Sequence, residues 1–366
     1  MRTMHPTLLV GPADWDPQRM PLEEFQARLA VLWRNGGQAG GAIVYGDAAD
    51  HAALAYLTHF TPKLEAAIAL LSRNGDARLL VGGGINMIPA AKPLTWIGNL
   101  LPLRSAAKAV AEWSATLPGG GSLMLIDGDA MPYAMHREIV AALGSDVSIG
   151  DATPIVRAQM RRKSARELAA IREASQMLGE AVAALRQAKD RGVTAAVLAA
   201  EHVAWRRGAQ DMRSLFSLDG GRTLLPFDVP VGATVDPLQI YLAVRHSGYW
   251  AEGYVMLSAQ PHAPLIAAEA ALRATLRQVA PGVTPGALTE TLATAMTAFA
   301  PHPATAPAAI GIGLALQQDL PADEPLGVGE ALSLRAGISD PQQGSAMVSA
   351  MVAVTANGRD IFWSAP

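Results

Sequence analysis

The sequence predicts two folded units of different class, an α/β domain over residues 1–155 and an α+β domain over residues 156–366. Three observations carry this. The chain has 366 residues, half of them hydrophobic and 17% charged, a globular composition at a length that ordinarily divides into two domains. Up to Ile149, short apolar runs alternate with helical periods, as strands layered with helices do. Beyond Asp151, long helical stretches give way to strands joined by tight turns, which favours antiparallel pairing.

Residues 1–20 are irregular and rich in proline and aspartate. A helical period from Leu22 to Trp33 has Phe25, Leu29, Val31 and Leu32 among its apolar positions. Ala42–Tyr45 reads as a strand and His51–Leu57 as a helix. Ala67–Leu71 and Ala77–Val81 read as a strand pair across the Asn74-Gly75 turn. Gly82-Gly83-Gly84 breaks the chain. Ser105–Ala115 is helical, Leu123–Ile126 is a strand ended by Asp127-Gly128, His136–Leu143 is helical, and Val147–Ile149 closes the series.

In the second half, Arg161–Arg191 reads as one long helix of mixed charge. Thr194 suits the N-cap of a second helix, Ala195–Arg207, because its hydroxyl can accept from an early backbone amide. Strands follow at Ser214–Leu218, Leu238–Val244 and Tyr249–Ala259, the last two flanking the turn His246-Ser247-Gly248. Alternation puts Tyr241, Ala243 and Arg245 on one face. Helices at Pro264–Val279 and Pro285–Phe299 precede strands at Ala331–Leu334, Ala346–Thr355 and Asp360–Trp363.

Composition excludes several function classes. A net charge of −3 gives no basic excess to track a phosphate backbone, so no nucleic-acid partner is expected. No apolar stretch reaches the roughly 18–20 residues of a membrane span. The stretch MRTMHPTLLVGPADWDPQR does not read as a signal peptide, and the expected compartment is the cytoplasm. Cysteine is absent, which removes disulfides, thiolate metal sites and cysteine nucleophiles together. The glycine triplets at 82–84 and 119–121 lack the G-x-G-x-x-G or G-K-[ST] arrangement and read as turns. There is no H-E-x-x-H and no G-x-S-x-G elbow. His51 and His59 read as scattered surface or capping residues rather than a metal pair.

Several segments together resemble the creatinase/prolidase/aminopeptidase P superfamily, whose catalytic domain is the pita-bread fold. LAYLTHF followed by a hydrophobic hairpin is similar to that family's N-terminal domain, and RRKSARELAAIREAS to the long helix opening its second domain. GYWAEGYVML is similar to the hairpin that carries two metal-binding aspartates, and GIGLALQQDLP to the Gly-His-Gly-Ile-Gly-Leu segment. LGVGEALSLRAGI is similar to the strand normally ending in Glu-Pro-Gly, and VSAMVAVTANG to the last strand, which starts at a metal-binding glutamate. The segments occur in the family's order. The resemblance implies an α/β N-terminal domain, an α+β pita-bread C-terminal domain and a homodimer, in which Tyr56–Phe60 could border the partner's site.

The same resemblance places the family's two metal-binding aspartates at Tyr241 and Glu252, its histidine at Ile310, and its two glutamates at Arg335 and Ser349. The histidine after Asn-x-x-x-Pro falls at Phe227, and the usual His-Glu at Gln317 and Gln318, with one extra residue before Pro321. A guanidinium cannot ligate a cation and repels one nearby. One carboxylate beside isoleucine, serine and tyrosine offers few hard oxygen donors. No metal and no cofactor is therefore expected.

Creatinase shares the fold and hydrolyses a guanidino C–N bond without metal, using histidine and carboxylate groups, but this chain lacks that histidine. Its implied pocket gathers Arg222, Asp228, Tyr241, Glu252, Gln317, Arg335 and Arg245. Arg335 would hold a substrate carboxylate in a bidentate fork. Glu252 would be the general acid/base, with Tyr241 or Asp228 orienting a small-molecule substrate. Phe227 and Trp250, with Tyr249 and Tyr254, would line the pocket, the alternative being that the aromatics are core.

Three readings stand at this point. The first is a metal-independent enzyme acting on a C–N bond of a carboxylate-bearing metabolite. The second is a protein that binds a ligand or partner without turnover, its Glu252 and Arg335 paired across an abandoned site. The third is a metallopeptidase whose ligands lie elsewhere.

Overall fold

The computed structural model describes residues 14–63, 65–117, 121–226, 231–297, 308–340, 342 and 344–365. The chain forms two compact units, Met1–Met160 and Arg161–Pro366. One helix, Thr153–Arg161, runs unbroken across residue 155.

The first unit begins with α1 (Leu22–Asn35), β1 (Gly41–Gly46) and α2 (Ala52–Thr58). The hairpin β2 (Ala67–Ser72) and β3 (Ala77–Val81) follows, then α3 (Ile88–Ala91) and β4 (Asn99–Pro102). The unit continues with α4 (Ala106–Ser114), β5 (Ser122–Ile126), α5 (Tyr133–Leu143), β6 (Ser148–Asp151) and α6 (Thr153–Arg161). Its six strands make one mixed sheet in the order β4-β3-β2-β1-β5-β6, antiparallel at β1–β2 and β2–β3 and parallel elsewhere. Ile43, Tyr45, Ile68 and Leu70 bury one sheet face against Val110 and Trp113 of α4 and Ile139 of α5. The strand Asn99–Pro102 was not expected from the sequence. Its four residues are too few for a periodic pattern to register.

His51 and His59 stand at the two ends of α2, where their Nδ1 atoms meet the carbonyls of Asp47 at 3.0 Å and Leu94 at 3.1 Å. His59 adopts φ +66°, the left-handed helix-stop conformation. Tyr56 and Phe60 are buried, with the Arg28 guanidinium 4.1 Å from the Tyr56 ring centroid.

The second unit opens on α7 (Ala165–Ala188) and α8 (Val193–Arg206). The single helix expected over 161–191 is in fact interrupted. Ser164 caps α7, accepting from the Glu167 amide while the Glu167 carboxylate accepts from the Ser164 amide, a capping box that ends one helix and starts the next. Thr194 does not cap α8, whose N-cap is Gly192. Its hydroxyl instead accepts from the Val231 amide at 2.6 Å.

Two antiparallel sheets complete this unit. β7 (Asp211–Ser217), β8 (Leu225–Pro226), β9 (Leu238–His246) and β10 (Tyr249–Leu257) lie in the order β10-β9-β7-β8. After α9 (Ala263–Gln278) and α10 (Pro285–Met296) come β11 (Ala309–Gly311), β12 (Ala331–Asp340), β13 (Gly344–Thr355) and β14 (Gly358–Ser364), which pair in sequence order. α7 packs on β9 and β10 through Ile171, Ala174 and Leu178, and α9 packs on β12 and β13. Gly253 of β10 lies against the Trp363 ring of β14 and Leu178 of α7, where a Cβ would meet them at 2.6 and 3.2 Å. Among the described residues, no helix is long and apolar enough to cross a membrane.

Candidate functional site

The site is built on the β9–β10 hairpin. Its turn has φ +50° at Ser247 and +83° at Gly248, the paired positive values that let two strands turn tightly with matching twist. The turn fixes the register: Tyr241 opposes Tyr254, Ala243 opposes Glu252, and Arg245 opposes Trp250. Opposed residues share a face, so these six form one surface. β7 adds Leu215, Arg213 and Asp211, opposite Tyr241, Ala243 and Arg245. On the other sheet Arg335 opposes Ser349.

Glu252 is fully buried, and both its carboxylate oxygens are engaged. Oε1 accepts from Arg335 Nε at 2.7 Å and Nη2 at 2.5 Å, and Oε2 accepts from the Tyr241 hydroxyl at 2.9 Å. The Arg335 side chain keeps 11% of its exposure, and its Nη1 has no hydrogen-bond partner among the described residues. Its guanidinium lies 5.4 Å from the Tyr254 ring centroid, and the Tyr241 and Tyr254 rings tilt together at 4.6 Å. The Tyr254 amide donates to Ser349 Oγ at 2.8 Å, joining the two sheets beside this cluster. Burial, followed by the Glu252 charge, pushes the Tyr241 phenol well above its usual range, and burial raises Tyr254 as well.

At the other end of the same face, Trp250 carries two guanidinium groups, Arg213 at 4.9 Å and Arg245 at 5.9 Å from its ring centroid. Arg245 Nε donates to the Gly248 carbonyl at 3.2 Å. Burial pushes Arg245 down to about 10, with Asp211 opposing the shift and Arg213 adding to it.

No protein-family model matches the sequence, and no curated protein gives a significant match. Solved structures do match. An X-Pro aminopeptidase from Thermotoga maritima superposes with TM-score 0.79 at 16% identity, covering 93% of this chain and 98% of its own. An Xaa-Pro dipeptidase from Bacillus anthracis gives TM-score 0.74 at 16% identity, covering 93% and 97%. A prolidase from Pyrococcus horikoshii gives TM-score 0.73 at 16% identity over the same shares. The chain has the pita-bread fold.

Of the positions that the sequence resemblance assigns to metal ligands in pita-bread proteins, the structure gathers Tyr241, Glu252 and Arg335, with Ser349 held to Tyr254. Ile310 stands opposite Ser333 at the edge of the second sheet. Among the described residues, no three His, Cys, Asp or Glu side chains are placed to share a metal ion. Arg222 is exposed on the turn after β7, its Nη1 donating to the Asp219 carbonyl at 3.2 Å. Gln317 is exposed, while Gln318 accepts from the buried Lys163 Nζ at 2.7 Å. Phe227, Asp228 and most of the second glycine triplet lie outside the described residues. Trp250 and Tyr249 are buried, with the Tyr249 hydroxyl donating to Glu167 at 3.1 Å.

Three residues of interest were not singled out from the sequence. Arg213 shares the hairpin's face, a position that register with Ala243 reveals and β7's own pattern does not. Lys163 sits within the segment RRKSARE, and burial pushes it down to about 8. Ser333 is fully buried, its hydroxyl without a hydrogen-bond partner among the described residues, two residues along β12 from Arg335 and on the same face. A serine in an apolar strand gives no signal of that kind until its contacts are known.

Proposed function

We propose that the second unit binds a small carboxylate-bearing molecule through Arg335, without a divalent metal pair and without hydrolytic turnover. One observation carries this reading: both Glu252 oxygens are engaged by Arg335 and Tyr241, while Arg335 retains Nη1 for another acceptor. A phenol, one engaged carboxylate, a guanidinium and two hydroxyls do not fit a pair of divalent cations, which favour several carboxylate and carbonyl oxygens. A carboxylate with both oxygens occupied and no exposure is poorly placed to take a substrate proton. Arginine's planar fork suits a carboxylate ligand, and partial burial strengthens the attraction.

The test uses the purified full chain. Elemental analysis should find no stoichiometric metal, and Xaa-Pro dipeptides should not be cleaved with or without added manganese. About two tightly bound ions per chain, as two-metal chemistry requires, or chelator-sensitive cleavage, would sink the reading.

A second reading, a metal-independent enzyme acting on a C–N bond, is favoured by the Tyr241–Glu252 hydrogen bond. If a ligand drew Arg335 away, Glu252 would be left with a phenol donor and could serve as acid/base. Equal turnover by wild type and Glu252→Gln, on any metabolite that raises the melting temperature, counts against that role.

A further inference from the structure

The sheet of the first unit ends on β6, and its last two strands are only partly covered. Ile149 and Asp151 alternate onto one face of β6, opposite Leu123 and Leu125 of β5. Leu123 is buried in the core beneath α4 and α5, whereas Leu125, Val147 and Ile149 stay only partly buried. They line a cavity of about 720 Å³ together with Val140 and His136, which stand one turn apart on α5. Val140 is 39% exposed, although its neighbour Ile139 is buried in the core. Gly128, just after β5, approaches Leu125 so closely that a Cβ would meet it at 2.4 Å, so the chain lines the cavity there with backbone alone.

The charged lining is mostly acidic. Asp129 and Asp151 line the cavity beside one guanidinium, Arg157. That guanidinium is already engaged by the buried Asp127 at 3.3 Å. Asp129 has no hydrogen bond or ion pair among the described residues. Hydrogen bonds from Thr153 hold the Asp151 carboxyl below the usual aspartate value, so it is charged at neutral pH. The excess of acid reaches Asp127, which burial, then Asp50, with Asp129 adding, push up to about 6 against Arg157.

We propose that this cavity binds a small organic cation, a primary ammonium on an apolar chain. Asp129 and Asp151 hold the charge, and the chain lies on Leu125, Val140 and Ile149. The volume is that of an ordinary small-molecule site, and an apolar floor with a few convergent charges is what such sites share. An ammonium relieves the repulsion among the acids, whereas an anion adds to it. Four apolar side chains supply only a small part of the roughly 800 Å² per partner that a stable protein interface buries, so a small molecule suits the cavity better than a second copy.

Calorimetric titration of the full chain with hexylammonium, hexanol and hexanoate tests this, near neutral pH and at low ionic strength, where exposed charges are least screened. Hexylammonium should bind at least about tenfold tighter than hexanol, the equivalent of one well-placed charged contact, and hexanoate should bind weakest. Butylammonium, two methylenes shorter, should bind about tenfold more weakly than hexylammonium. Replacing both acids, Asp129→Asn with Asp151→Asn, should bring hexylammonium down to the level of hexanol. Val140→Lys places a good helix former at an exposed position and sets a cation in the cavity, so hexylammonium should weaken at least about tenfold. Hexanoate bound as tightly as hexylammonium, or hexylammonium binding unchanged in either variant, overturns the proposal. So does the absence of binding by wild type; if Val140→Lys then also lowers the chain's molar mass in solution, the floor belongs to a second copy.

Discussion

Each unit of the chain buries a carboxylate beside an arginine, and the two sites are built very differently. Glu252, in the second unit, has Arg335 on one oxygen and the Tyr241 hydroxyl on the other, and that arginine is itself nearly buried. Asp127, in the first unit, is 4% exposed and meets one nitrogen of Arg157 at 3.3 Å, on a side chain that is 57% exposed. Its other charged neighbours, Asp50 and Asp129, are acids. Burial, with Asp50 next in weight, pushes Asp127 up to about 6. Depth of burial is therefore a poor guide to a carboxylate's behaviour. The donors that arrive with it decide whether the charge is welcome.

Arg335→Ala breaks this comparison most strongly. It leaves Glu252 buried with the phenol alone, and removing one partner of a buried pair costs about 3–5 kcal/mol. A large fall in the urea midpoint is expected. The double variant Glu252→Leu, Arg335→Met should recover most of it, since apolar replacement of a buried pair is often neutral. A double variant as unstable as Arg335→Ala would show that the site's packing, and not its charge, was lost.

Asp127→Asn sharpens the other side. The folded-state value lies above the ordinary aspartate value of 3.8, so the folded chain binds the proton more tightly than the unfolded chain. Stability is then greatest below about 4 and falls as pH rises through about 6. The shift corresponds to about 3 kcal/mol at neutral pH. The amide that replaces the carboxylate carries no such charge, and asparagine tolerates the φ of +54° found here. Unfolding measured from pH 4 to 8 should show the variant overtaking wild type as pH rises. A pH-independent difference between the two would refute the cause given for the shift.

These two carboxylates were unequally legible in the sequence. Glu252 stands in GYWAEGYVML, an alternating run behind a His-Ser-Gly turn, so its strand, face and neighbours Tyr241 and Trp250 follow from local rules. Arg335 comes from a separate sheet 83 residues away, and only the resemblance to a known fold suggested their meeting. Asp127 precedes a glycine and reads as a turn residue. Its burial depends on α6, whose Thr153 hydroxyl accepts the Asp127 amide at 2.8 Å. The break between α6 and α7 was written in Ser164-x-x-Glu167, but continuous helical periodicity on both sides concealed it. Local patterns thus predict elements and faces. They do not say which polar group across a sheet will satisfy another.

The smallest expected effect separates two buried serines on the β12–β13 pair. Ser349 is fully buried and its Oγ accepts the Tyr254 amide at 2.8 Å, whereas Ser333, equally buried, has no hydrogen-bond partner among the described residues. A buried hydroxyl without a hydrogen bond loses its water and gains nothing, a penalty of about 1–3 kcal/mol. Ser333→Ala should therefore leave the free protein as stable as wild type or about 1 kcal/mol more so. Ser349→Ala orphans a backbone amide and should cost about 1 kcal/mol. Because Ser333 shares its face with Arg335, the same variant also reads out the site. A Ser333→Ala protein that gains stability yet binds carboxylates several-fold more weakly places the hydroxyl among the ligand's donors. One that gains stability and binds as before confines Ser333 to the packing of β12.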